Sequence, residues 1–164
     1  MKYHVDKPYP TPKVVEKNEE YANILLHSYA GSVSELTAIH QYLYQSFLLE
    51  NHYHSVLEQI SIVEMHHLEL LAETIKLLGK DPKYEATSSC SGTIPWTTTN
   101  VPYPSEFVEM ITLDLHSEKM AIRNYQMACL HILDPYIQVL LERIIEDEKL
   151  HIQIFEQLLQ EFSS

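Results

Sequence analysis

The chain has 164 residues, 45% of them hydrophobic and only 3 of them glycine, which suits one compact helical domain with a full hydrophobic core. With 11 Lys+Arg against 23 Asp+Glu, the formal charge of -12 argues against nucleic acid or an anionic membrane as partner. No apolar run approaches membrane-spanning length, the first residues lack the apolar core of a signal peptide, and Cys90 and Cys129 lack Cys-x-x-Cys spacing. The expectation is a cytoplasmic protein with free thiols.

Residues 1–17, with Pro8, Pro10 and Pro12, predict an extended N-terminal arm, and residues 18–164 a helical bundle. Asn18 reads as an N-cap, with Glu19 and Glu20 in the first turn, where the helix dipole favours acids. A first helix is expected to about residue 50, a turn over 51–54, and a second helix over 55–78 that stops at Gly79. Residues 79–104 carry Pro82, Gly92, Pro95, Pro102 and Pro104 and predict a long irregular connection. A third helix over 105–133 follows. Asp134 and Pro135 then supply an N-cap and a favoured first residue for a fourth helix, reaching about residue 162. Short loops join antiparallel neighbours, so the fold class is all-α: two antiparallel hairpins joined by a crossover along a bundle about 40 Å long.

Steps of three and four along the second helix pick out Leu57, Ile60, Glu64, His67, Leu71, Thr74 and Leu78. The fourth gives Ile137, Leu141, Ile144, Glu148, His151, Phe155, Leu158 and Phe162, and the third Val108, Ile111, Leu115, Glu118, Ile122, Tyr125, Cys129 and Ile132. The first, less cleanly, gives Leu25, Ser28, Ser32, Glu35, Ile39, Tyr42, Ser46 and Leu49. Each stripe thus carries one glutamate near its middle. Four buried carboxylates repel one another unless neutralised, and no Lys or Arg occupies these positions. Two divalent cations balance the charge, and neutral His67 and His151 provide one imidazole per ion.

The Glu-x-x-His spacing places both ligands on one helix face. One copy is a weak signal. Here Leu57, Ile60, Glu64 and His67 repeat as Leu141, Ile144, Glu148 and His151 at a constant offset, and Glu35, Ala38, Ile39 and Tyr42 repeat as Glu118, Ala121, Ile122 and Tyr125. The chain reads as a duplicated helical hairpin. Tyr42 and Tyr125 are the candidate catalytic residues, able to hydrogen-bond a ligand carboxylate or enter radical chemistry, with a core tyrosine as the alternative. Asp147 is expected to be a solvated charge rather than a partner of a ligand histidine. His40, His66, His116 and His131 lie off the stripes and are expected at the surface, and Met65 at a subunit surface.

These residues resemble the ferritin-like superfamily, which includes bacterioferritins, rubrerythrins and manganese catalases, over residues 18–162. Residues 35–42 look especially like the first helix of bacterioferritins, and Asp147, Glu148 and His151 match the fourth. The end of the second helix, Leu77 to Pro82, is more like manganese catalase relatives. Ala121 stands where rubrerythrins carry a further glutamate, and Met65 at the position from which bacterioferritins ligate haem; haem is not expected. The resemblance implies a ferritin-like four-helix bundle with Glu35, Glu64, His67, Glu118, Glu148 and His151 as ligands to two iron or two manganese ions. It implies an oxidoreductase acting on hydrogen peroxide or dioxygen, with a small redox donor as a further partner. The alternatives are ferrous iron oxidation and iron handling, or a structural metal protein. Tyrosine-rich outer faces and the proline-rich arm suggest a homodimer or higher homo-oligomer.

Overall fold

A computed structural model describes residues 2–88 and 92–162; Cys90 lies outside them. Among the described residues the α-helices are α1 (Glu19–Ala30), α2 (Glu35–Ser46), α3 (Asn51–Leu77), α4 (Phe107–His131) and α5 (Pro135–Phe162), with strands β1 (Glu85–Ser88) and β2 (Gly92–Pro95) between α3 and α4. α2 packs along α3 and α4 along α5, so the two hairpins form as expected and the protein is a ferritin-like four-helix bundle.

The first expected helix is broken. Asn18 caps α1 by accepting from Tyr21 N at 3.0 Å, but α1 ends at Gly31, whose N–H bonds to the His27 carbonyl. A Cβ on Gly31 would stand 2.4 Å from that carbonyl oxygen, an approach open to glycine alone. Ser34 then caps α2, accepting from Thr37 N, while the Ser34 and Thr37 hydroxyls donate to the Gly31 carbonyl at 2.8 and 3.1 Å. Steps of three and four continue across residues 31–34 through Ser28, Ser32 and Glu35, which is why spacing alone carries the helix through.

Two further boundaries move. α2 ends at Ser46 rather than about residue 50, and residues 51–54 are the first turn of α3 rather than a loop. Asn51 takes a φ of 58°, a left-handed conformation that asparagine tolerates. His54 Nδ1 donates to the Ser46 carbonyl at 2.8 Å, closing the end of α2. Within the crossover, β1 and β2 form an antiparallel hairpin pairing Ala86 with Ile94, and β1 lies on α1. Trp96 follows; its indole N–H donates to Thr37 Oγ1 at 2.9 Å and its ring packs on His40.

Nearly all the predicted stripe residues of α3 and α5 are buried; Phe162 on α5, Val108 on α4 and Ser32 in the break are exposed. The core forms two apolar clusters, one around Leu25, Leu71, Ile75, Leu141 and Ile144, the other around Tyr42, Leu57, Ile60, Ile111 and Phe155. Along α3 and α5 the glutamates and histidines sit between the two. Residues 2–17 contain no helix or strand and run along α5: Lys7 pairs with Glu146 at 2.7 Å, and Val15 N donates to Asp134 at 2.6 Å. These contacts are made within the chain, so the arm itself gives no argument for dimerisation. No described helix is long and apolar enough to cross a membrane.

Candidate metal centre

All six expected ligand residues converge between the two core clusters, each at most 4% exposed. Donor atoms of Glu35, Glu64, His67 and Glu148 lie within 4.8 Å of one another, as do those of Glu64, Glu118, Glu148 and His151. Glu64 and Glu148 belong to both groups. Glu64 puts Oε2 2.9 Å from His67 Nδ1 and Oε1 2.9 Å from His151 Nδ1; Glu148 puts Oε1 3.3 Å from His67 Nδ1 and Oε2 3.2 Å from His151 Nδ1. Glu35 approaches only His67 and Glu118 only His151, each at 3.7 Å. Glu64 and Glu148 would thus be shared between two ions, with Glu35 and Glu118 as terminal carboxylates and one imidazole on each side.

The outer ring nitrogens settle which histidine atom faces inward. His151 Nε2 donates to the Tyr3 carbonyl at 2.9 Å, an oxygen that can only accept, and His67 Nε2 donates to Asp147 Oδ2 at 3.2 Å. With Nε2 protonated, the lone pair of each neutral ring lies on Nδ1, directed at the carboxylates. Glu64 Oε1 and Glu148 Oε1 are buried without a hydrogen-bond partner. Orphaned buried acceptors beside inward lone pairs fit a cation pair and are costly without one.

Electrostatics agree. Burial, then the charges of Glu148 and Glu64, push Glu35 and Glu118 well above the usual carboxylate range. Burial also works upward on Glu64 and Glu148, but the adjacent imidazoles hold both below that range. For His67 and His151 burial works downward and is outweighed by the surrounding carboxylates, so both rings are held well above the ordinary histidine value. In the metal-free state, protons therefore carry the positive charge that cations would replace.

Tyr42 and Tyr125 reach across the bundle rather than along their own helices. Tyr42 Oη donates to Glu118 Oε1 at 2.5 Å and Tyr125 Oη donates to Glu35 Oε1, so each phenol holds the terminal glutamate of the other hairpin. A cavity of about 270 Å³ reaches these residues between α2 and α4; Glu35, Tyr42, Glu64, Glu118, Tyr125 and Glu148 line its floor. Ser32 and Ser34 from the helix break, Thr99 and Asn100 from the crossover and His116 from α4 also line it.

Asp147 is not a solvated charge. It is fully buried, and besides His67 it accepts from Val5 N at 2.7 Å and Tyr9 Oη at 2.5 Å. Arg143, itself 2% exposed, places Nη1 2.8 Å from Asp147 Oδ1 and donates to the Val5 and Lys7 carbonyls, under the Tyr9 ring. Burial works upward on Asp147, but His67, Tyr9, Val5 N and Arg143 hold its carboxyl well below the usual range. Sequence reading missed Arg143 and the covering arm; an arginine four residues before an aspartate in an apolar run was the available signal. The surface histidines fall as expected: His40, His66, His116 and His131 are exposed.

The family model described as manganese containing catalase matches residues 1–95. A probable manganese catalase of Clostridium acetobutylicum is 27% identical over 166 residues, covering 90% of this chain and 73% of that protein. A bacterioferritin of Desulfovibrio desulfuricans is 32% identical over 129 residues, covering 76% of this chain and 67% of that one. The solved wild-type manganese catalase from Anabaena superposes with a TM-score of 0.86 at 24% identity, over 99% of this chain and 81% of that chain. The chain belongs to the manganese-containing catalase family, within the ferritin-like superfamily.

Proposed function

We propose that the protein disproportionates hydrogen peroxide at a dinuclear manganese centre, two peroxides giving two waters and one dioxygen. The observation that carries this reading is the pair of glutamates, Glu64 and Glu148, each with one oxygen toward His67 and the other toward His151. Glu35 with His67 and Glu118 with His151 would complete the two ion positions. Manganese held there supplies the two-electron capacity that allows one peroxide to be reduced and a second to be oxidised.

The chain's own residues do the rest. Tyr3 and Asp147 hold the imidazoles by Nε2, so the proton given up on loading is that of Nδ1. Tyr42 and Tyr125 keep the terminal glutamates oriented, and as cavity-floor residues they hold a proton at Glu118 Oε1 and Glu35 Oε1, beside entering peroxide. The cavity between α2 and α4 gives a small molecule a path to these residues. The arm, residues 1–17, is read as part of this one functional unit, since Tyr3 and Tyr9 touch the histidine side. Exposed Leu130 and Leu133 on the outer surface favour assembly into a homo-oligomer.

Protein loaded anaerobically with Mn(II) should release one dioxygen per two peroxides consumed. No turnover with manganese would overturn the reading. Similarity to bacterioferritin supports a second use of the same ligands, in oxidising ferrous iron. Dioxygen uptake on Fe(II) addition, with no dioxygen release by the manganese form, would favour it. A merely structural site predicts that Glu118→Ala weakens the fold while wild-type protein has no redox activity with either metal.

A further inference from the structure

Beside the metal centre lies a second buried polar group that the ligand set does not use. Asp114, one turn before Glu118 on α4, is fully buried and accepts at Oδ1 from Gln41 Nε2 at 2.5 Å and Gln45 Nε2 at 2.9 Å, both on α2. A carboxyl oxygen accepting two bonds dictates how both amides are turned: each must present its NH₂ to Asp114. Gln45 Oε1 and Asp114 Oδ2 are buried without hydrogen-bond partners. Gln41 differs from Gln45 in lining the cavity, beside Tyr42 and Glu118. With its nitrogen bound to Asp114, its carbonyl oxygen is the acceptor available to a molecule inside.

We propose that Gln41, held in one amide orientation by Asp114, is a specificity-determining residue that accepts a hydrogen bond from the O–H of hydrogen peroxide and so favours it over dioxygen. Peroxide has two O–H donors and dioxygen has none. A site built around an acceptor rewards only the former, and discrimination by a missing hydrogen-bonding group is stronger than discrimination by size. The orientation survives protonation of Asp114. Burial lifts its carboxyl to about 7, but a proton on Oδ2 leaves Oδ1 an acceptor.

This inference rests on the peroxide reading above. Gln41→Met keeps the volume and removes the acceptor; manganese-loaded protein should then show a KM for peroxide raised about tenfold, with a smaller change in kcat. Asp114→Leu, which frees the amide, should act in the same direction, while Asp114→Asn, which keeps a carbonyl acceptor, should recover most of the loss. A readout independent of turnover is the side-chain amide of Gln41 in the ¹H–¹⁵N spectrum of metal-free protein. Its protons should exchange slowly in wild type and in Asp114→Asn, and faster in Asp114→Leu. Wild-type protein that turns over no peroxide would remove the underlying reading. Wild-type turnover with an unaltered KM in Gln41→Met, or a Gln41 amide exchanging as fast as an exposed glutamine, would remove this inference alone.

Discussion

The two hairpins of the bundle repeat the carboxylates and histidines of the candidate metal centre and differ in what stands behind them. Glu64 and His67 on α3 match Glu148 and His151 on α5, and the phenols of Tyr42 and Tyr125 exchange places across the centre. Behind that layer the match fails. Asp147 backs His67 from the second hairpin, yet the equivalent position in the first is Val63, which cannot accept a hydrogen bond from His151. The Tyr3 carbonyl of the arm does so instead. Likewise α4 runs unbroken, whereas its counterpart breaks at Gly31 to give α1 and α2, and Ser32, Val33 and Ser34 of the break line the cavity. The symmetric layer holds the charge; the asymmetric surroundings make one side a closed support and the other an entrance.

The largest test of this contrast is Asp147→Ala. It strands Arg143 as a buried unpaired cation and frees His67, so metal-free protein should lose about 3 kcal/mol or more of stability, and manganese affinity should fall about 10- to 100-fold. Urea denaturation and metal titration measure the two effects. A variant with wild-type affinity would mean the closed side does not support the site.

Asp114→Asn tests the entrance side through pH. The Asp114 carboxyl lies near 7 in the folded chain, above its unfolded value of about 3.9, so between those pH values the native state holds a proton that the unfolded state has released. The stability from neutral Asp114 is full below about pH 4 and is lost as pH rises through 7, whereas asparagine does not titrate. The variant should therefore gain on wild type by up to about 4 kcal/mol between pH 4 and 8. A stability difference constant with pH would show that Asp114 is ionised throughout.

Gly31→Ala attacks the helix break. Its Cβ meets the His27 carbonyl at 2.4 Å, so a loss of about 1–3 kcal/mol and a slower second-order rate with peroxide are expected. Unchanged melting would mean the break relaxes freely. The smallest effects belong to Tyr42→Phe and Tyr125→Phe, each removing one hydrogen bond for about 1 kcal/mol. Near-equal losses of kcat would extend the symmetry to these residues, and a large inequality would end it there.

Much of this was legible in the sequence, because helical periodicity and charge balance act locally and repeat. The stripes of α3 and α5, the Asn18 cap, the hairpin pairing and the convergence of the six expected ligand residues all follow from spacing. The break at residues 31–34 was present as Gly31 and the Ser34–Thr37 cap, but continued three-and-four spacing through Ser28, Ser32 and Glu35 masked it. The short β1–β2 hairpin rests on backbone pairing in a proline-rich crossover, where no period announces it. Asp147 and Asp114 were hidden for a different reason. Whether an acid beside a stripe meets water depends on what covers it, and the covering groups come from a distant arm and a neighbouring helix.

The single tryptophan gives this architecture an optical handle. Trp96 ties the crossover to Thr37, two residues from Glu35, and rests on His40. Its emission therefore reports on the linkage between the crossover and the start of α2. Motion of the crossover at the cavity mouth should appear as a fluorescence change on the stopped-flow timescale, without any added label.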